Sequence, residues 1–286
     1  MAEAKRKERF NPYRPGMTIQ EMYEARPKAY LAVSFTLLLM VVIVGWSSTA
    51  LADNSSTSSD GAAVIKSIFY GLVHPEFNVL FDFSRQGLPA LLLETMCIAF
   101  LGTIVGAVLA IPFAFLGASN IVPAPVAMVF RTVVMAIRTI PALVYGLMFI
   151  RVTGPGPFAG LLTMSVCSIG MISKQFIESI EDIDKGILES LDAIGCNVFQ
   201  KIRYGIIPQI APDFASTLIY RFDMNLRDSS TLGIVGAGGI GAPLIFAMGG
   251  YKWQQTGAIL LELIILILIV EWISNKIRNK LAHGER

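Results

Sequence analysis

The residues with the most chemical potential lie in Tyr220-Arg221-Phe222-Asp223-Met224-Asn225-Leu226-Arg227-Asp228, inside a segment, 214–235, that is long enough to cross a bilayer. Ionisable groups in a membrane helix are costly, so they face a bundle interior or a water-filled cavity. Arg221, Asn225 and Asp228 share one helical face. Asp223 and Arg227, at i and i+4, either neutralise each other and lock the bundle or line a wet path; the spacing leaves both readings open. Arg221 has no acid four residues away and is the stronger candidate to face a translocation path. Arg131 and Arg138 lie seven apart, hence on one face of another apolar run. Arg131 is expected to snorkel to the interface. Arg138, just before Thr139-Ile140-Pro141, is expected to pair or to face water. Glu94 and Glu262 are candidate partners for the arginines.

Other motifs exclude chemistry. Gly236-Ala237-Gly238-Gly239-Ile240-Gly241 matches the dinucleotide pattern G-x-G-x-x-G, with Glu262 some twenty residues on. That fingerprint needs a strand before it and a soluble helix after it, whereas a polar membrane helix precedes this one. The run therefore reads as a tight, flexible turn where backbones approach closely. No G-x-x-x-x-G-K-[ST] occurs, so ATP is not bound by a P-loop. His74 and His283, the only histidines, lie far apart, and the odd set Cys97, Cys167 and Cys196 implies no disulfide framework. Enzymatic chemistry, a metal site and a nucleic-acid partner are not expected.

The elements that must carry these residues are membrane helices. Charged residues make up 15% of the 286 and apolar residues 54%, with a mean hydropathy of +0.61. A soluble domain carries about 25% charged residues, so the chain is an integral membrane protein. Residues 1–28 are basic, with a short surface helix expected from Met17 to Tyr23, and form a cytoplasmic segment. A first span follows over 29–52; its end, Ala50-Leu51-Ala52, mimics a signal-peptidase site, but the long basic lead and long apolar run predict a retained helix. Residues 53–87 form an external loop, Ser-rich at first, with 65–83 lying along the outer surface. A core domain, 88–275, holds five further spans. The first, 88–116, has a small-residue face at Gly102, Gly106 and Ala110 and a kink at Pro112. The next, 126–150, contains Arg131, Arg138 and Pro141. Spans over 157–173, 214–235 and 255–273 complete the set, with a cytosolic loop at 178–212 and a basic tail at 276–286. The result is an all-α integral membrane protein of six spans with both termini cytoplasmic.

Within that cytosolic loop, Lys185 to Pro212 reads as two short helices with a break. Leu188, Leu191, Ile194 and Val198 recur at helical spacing. Gly195 removes bulk at the bend, and Pro208 ends the second helix. Glu189 is followed six positions later by Gly195 and thirteen later again by Pro208. This resembles the signature loop of the permease subunits of ABC-type importers, Glu-Ala-Ala, a spacer, Gly, then Ile/Leu-Pro; the triplet here is Glu189-Ser190-Leu191, without the two alanines. From Arg131 onward the order of Arg138-Thr139-Ile140-Pro141, 154–160, the loop, 220–227, 235–241 and Gln254-Gln255-Thr256 resembles the permease of phosphonate-type ABC importers.

The resemblance implies the type I importer permease fold in a bacterial plasma (inner) membrane. It implies a second copy of this chain, a dimeric cytosolic ATPase and an external binding protein as partners. ATP and Mg would be bound by that ATPase, with no cofactor in this chain. Glu189, Ser190, Leu191, Asp192, Ala193, Gly195 and Pro208 would couple to the ATPase. Arg138, Pro141, Arg221, Asp223, Asn225, Arg227, Gly236, Gly238, Gly239 and Gly241 would line or gate the path, with Arg221 the foremost candidate. The implied cargo is phosphonate, phosphite or phosphate. Two alternatives remain: an importer permease for another small solute, or an ion-coupled transporter with Asp223, Glu94 or Glu262 as its proton site.

Overall fold

A computed structural model describes Thr18 and residues 30–52, 61–82, 84 and 87–283. The expected helix Met17 to Tyr23, apart from Thr18, and the serine-rich stretch 53–60 lie outside the described residues. Among the described residues there are helices and turns but no strands.

The chain divides into two units, 1–64 and 65–286. In the first, α1 (Tyr30–Ala52) is uncharged and its described side chains are exposed, as expected of a helix whose solvent is lipid. The hydroxyls of Ser48 and Thr49 donate back to the carbonyls of Gly45 and Trp46, each at 2.7 Å, so neither is left without a partner.

The second unit contains most of α2 (Gly61–Val73), then α3 (Phe77–Leu80), α4 (Leu88–Gly117), α5 (Ala124–Thr139), α6 (Ala142–Thr153), α7 (Pro157–Glu181) and α8 (Lys185–Ala193). After these come α9 (Val198–Gln200), a π-helical turn (Lys201–Ile206), α10 (Ile207–Leu232), a 3-10 turn (Gly233–Val235), α11 (Gly241–Gly249) and α12 (Trp253–His283). The α4–α7 pair forms its centre, and the expected small-residue face is what lets them close. A methyl group on Gly102 would lie 2.4 Å from Met164 Cβ, and one on Gly106 would lie 2.4 Å from Ser168 Cβ. Ala110 is fully buried in the same row, at the edge of a cluster of Ile172, Phe176, Ile180, Ile206 and Ile210.

Two expectations are corrected by the structure. The run 126–150 is not one straight helix: α5 and α6 meet at 84° across Ile140 and Pro141, as a broken span or a re-entrant turn. Proline has no N–H to give residue 137 and its ring clashes with that carbonyl. The freed Ile137 carbonyl instead accepts from the Tyr145 hydroxyl at 3.1 Å, which stabilises the bend. Pro208 likewise does not end a helix. It sits in the first turn of α10, where a missing N–H costs little, and the π turn, with Ile207 N–H donating to Ile202 O, carries the chain into it. Val198 to Leu232 is thus one continuous helical run with a widened turn.

By length and apolarity, Leu88–Gly117, Pro157–Glu181 and Trp253–Leu281 can cross a bilayer, with a fourth crossing if the bent α5–α6 pair counts as one. The 26-residue α10 is long enough but carries Asp213, Arg221, Asp223, Arg227 and Asp228, so its place is set by packing.

The close α4–α7 approach yields a prediction. Gly106→Val should overpack this seam and destabilise the protein by about 1–3 kcal/mol, read as a lower Tm in detergent. An unchanged Tm would contradict the packing described.

Candidate functional site: a buried polar seam and a clamped glycine turn

The polar face of α10 points into the bundle. Arg221 and Asp223 are each 5% exposed and Asn225 is fully buried. Asn225 Nδ2 donates to Thr103 Oγ1 of α4 and to Ser168 Oγ of α7, both at 2.8 Å. Arg221 Nε donates to the same Ser168 oxygen at 3.2 Å. The Thr103 hydroxyl gives its own proton to Ala99 O at 2.7 Å, which leaves its oxygen free to accept. One amide therefore ties three helices together. Asn225 Oδ1 and Ser229 Oγ, one turn apart, are buried with no hydrogen-bond partner among the described residues. Arg221 is thus buried within this chain, with Ser168 of α7 as its hydrogen-bond partner.

Asp223 and Arg227 do pair, at 2.9 Å, and Arg227 also reaches Glu271 of α12 at 3.1 Å. The i, i+4 ion pair expected of these two residues is therefore formed. Glu271 lies 44 residues from Arg227, so local spacing gave no sign of it. Arg278 over the Tyr220 ring, 5.7 Å from its centroid, adds a second contact and shows α10 and α12 to be antiparallel.

The remaining charges also find unexpected partners. Arg131 does not snorkel alone: it forms an ion pair with Glu181, and its Nε donates to Gly117 O at 2.8 Å. Glu181 also accepts from the backbone and hydroxyl of Ser119. Arg138 is exposed at the last turn of α5, has no ion pair among the described residues, and passes its stem over Gly170. Among the described residues neither Glu94 nor Glu262 pairs with an arginine. Glu262 has a buried oxygen with no hydrogen-bond partner among the described residues.

Glu94 does something else: it accepts from Gly239 N–H at 2.8 Å while Thr95 Oγ1 accepts from Ile240 N–H at 2.9 Å. The turn expected to be flexible is therefore clamped to α4. Gly236, Gly238 and Gly239 have φ of 89°, 84° and 75°, which other residues adopt only at a cost. A side chain on Gly238 would lie 2.8 Å from the Pro157 backbone, and one on Gly241 would lie 2.1 Å from Ser230 O. Gly236 O accepts from Gly156 N–H at 2.9 Å, which joins the turn to the start of α7.

At the opposite end of α7, Asp184 caps α8 by accepting from Gly186 N–H at 2.9 Å. Leu188 packs on the core, whereas Glu189, Ser190, Asp192 and Ala193 are exposed. The helix ends at Ala193, so Ile194, 78% exposed, and Val198 do not continue its inward face. Gly195 has φ of 83° with nothing near its missing side chain, so the constraint is backbone conformation rather than bulk. The pair Asp192–Lys201 joins α8 to the π turn, and Leu191 fills the space above Gly205, where a methyl group would be 2.4 Å away.

Residues 106–282 match the family of binding-protein-dependent transport system inner membrane components. The phosphite transport system permease protein PtxC of Stutzerimonas stutzeri is 34% identical over 227 residues, 79% of this chain and 81% of that protein. The phosphate-import permease protein PhnE of Mycolicibacterium smegmatis is 34% identical over 228 residues, 79% of this chain but 42% of that longer protein. In fold, the MetNI methionine ABC transporter in an inward-facing form matches with a TM-score of 0.61 at 22% identity, over 68% of this chain and 95% of that one. A bacterial ABC transporter that imports the acidic polysaccharide alginate matches with a TM-score of 0.60 at 14% identity, over 91% and 99%. The chain belongs to the binding-protein-dependent inner-membrane component family. It is a permease subunit of an ABC importer, resident in the inner membrane, and not an enzyme. Membership implies an ATPase subunit, a binding protein and a dimer.

The Glu94 clamp is testable by amide exchange. Glu94→Leu should release the 236–241 turn and speed exchange there by roughly 10-fold or more, the worth of a hydrogen bond to a charged acceptor, while Glu94→Gln should retain most of the protection. Equal exchange in all three proteins would show that the clamp contributes nothing.

Proposed function

We propose that this chain forms the translocation path for phosphonate, phosphite or phosphate, and that it takes its driving force from a separate ATPase seated on α8. The observation that supports coupling at this point is the way α8 is built. Its Glu189, Ser190, Asp192 and Ala193 are left exposed at the end of the second unit remote from the glycine turn, while Leu188, Leu191 and Asp192 hold it to the core and to the root of α10. A short exposed helix of this kind suits a groove in a partner. ATP and Mg belong to that partner, with no cofactor in this chain, and a second copy of the chain completes the path.

The cargo class rests on the phosphite and phosphate relatives, over most of this chain in the case of PtxC. The seam of Arg221, Asn225, Ser168 and Thr103 supplies cationic and neutral hydrogen-bonding groups of the kind an oxyanion uses. Arg138, Pro141, Asp223, Arg227 and Gly236, Gly238, Gly239 and Gly241 frame the path as supports: a bend, an ion-pair lock and a clamped turn. Opening of the path then amounts to a shift between two packings, which the ATPase biases through α8.

Two measurements test this. Glu189→Lys should abolish co-purification with the ATPase while leaving the permease folded, and Gly195→Trp should keep association but uncouple hydrolysis from transport. Normal ATPase association in the first variant and normal transport in the second would place coupling elsewhere. For cargo, the cognate binding protein loaded with phosphite or a phosphonate should stimulate ATPase activity in proteoliposomes; stimulation by methionine instead would overturn the phosphorus assignment.

A further inference from the structure

At the end of the second unit opposite α8, two clefts share one wall. The larger, about 450 Å³, lies between α2 and the start of α12 and is lined by Tyr70, Glu76, Tyr251, Lys252, Trp253 and Gln255 among others. The smaller, about 280 Å³, has mostly apolar walls, including Val79, Leu88, Phe246 and Ile259, with Asp82 at its edge. Lys252 and Gln255 border both.

The walls are fixed. A methyl group on Gly71 would lie 2.4 Å from Trp253, one on Gly257 would lie 2.3 Å from Gly71 O, and Glu76 N–H donates to Gln254 O at 3.2 Å. Tyr251, at φ of 56°, is the one non-glycine residue in the left-handed region among the described residues, a conformation that costs energy and is kept where the fold demands it. The turn it makes, closed by Lys252 N–H to Ala247 O at 2.9 Å, places Lys252 at the shared wall and sets the Tyr251 ring edge-on to Trp253, with centroids 6.0 Å apart.

The charges are complementary but uncommitted. None of the ion pairs among the described residues includes Glu76 or Lys252. Asp82 is already engaged, accepting from Ser84 N–H at 3.0 Å. Two carboxylates against one ammonium disfavour a plain anion. A ligand with a phosphate for Lys252 and an ammonium for Glu76 and the aromatic faces answers both signs. The apolar second cleft, reached past Lys252, calls for a hydrocarbon portion on the same molecule. Tyr and Trp at this level are also where a bilayer interface places them.

We propose that the double cleft binds a phosphoethanolamine-type zwitterion, carried by a phospholipid whose first acyl carbons enter the apolar cleft. The lipid then fastens α2 and α3 to α12 at the end that carries the glycine turn.

The test uses the permease with its ATPase in detergent, probed by native mass spectrometry with phosphatidylethanolamine, phosphatidylglycerol and soluble phosphorylethanolamine. Retained phosphatidylethanolamine should fall about fivefold in Glu76→Gln and in Lys252→Gln, the loss of one partly exposed charge interaction each, with phosphatidylglycerol unchanged. ATPase co-purification confirms that both variants are folded. If phosphorylethanolamine binds and depends on the two side chains while lipid retention does not, the zwitterion assignment stands and the lipid source is overturned. If neither probe depends on them, or if phosphatidylglycerol binds as well as phosphatidylethanolamine through Lys252 alone, the proposal fails.

Discussion

The architecture depends on burying the polar face of α10 in a place where water is scarce. Unpaired polar groups inside a bilayer cost several kcal/mol each, so α10 is stable there only if other helices bring matching groups. Asn225 meets this demand by donating to Thr103 and Ser168, and Arg221 shares the Ser168 oxygen. That contact requires α4 and α7 to lie close together, which Gly102, Gly106 and Ala110 permit. The small-residue face and the polar helix are therefore two halves of one constraint. Asn225 Oδ1 and Ser229 Oγ are left buried there with no hydrogen-bond partner among the described residues.

Around that seam, charge pairs hold the helix ends. Asp223, Arg227 and Glu271 fasten α10 to α12, while Arg131, Glu181 and Ser119 fasten α5 to α7 and the α4–α5 turn. The proposed coupling route is short. Asp192 and Leu191 of α8 act on the π turn, and the stacked rings of Phe176 and Phe214, with centroids 3.5 Å apart, carry the base of α10 against α7. A π turn is a common place for a helix to yield, so a displacement at α8 bears first on the root of the helix that carries Arg221 and Asn225.

Much of this was legible in local spacing. The Glu189–Gly195–Pro208 register, the glycine row of α4 and the Asp223–Arg227 pair all depend on residues near one another in sequence. The family follows from the order of such segments and is borne out by the match over 106–282. What sequence concealed was long-range or cooperative. Arg131 finds Glu181 fifty residues away, Arg227 finds Glu271, and Glu94 serves a backbone amide 145 residues on rather than an arginine. Pro141 was visible as a breaker, but the 84° bend becomes stable through the Tyr145 hydroxyl. Pro208 misled because its effect depends on the turn before it, and the π register made it a helix start.

The same geometry bears on what drives transport. Asp223, one of the three carboxylates an ion-coupled mechanism could use, is paired with Arg227, which also holds Glu271, whereas α8 stands exposed. The most direct measurement is uptake of labelled phosphite or phosphonate into proteoliposomes containing the permease, its ATPase and the binding protein, with and without a protonophore. Uptake should require ATP and persist when the proton gradient is collapsed. Uptake that proceeds without the ATPase and stops with the protonophore would contradict it.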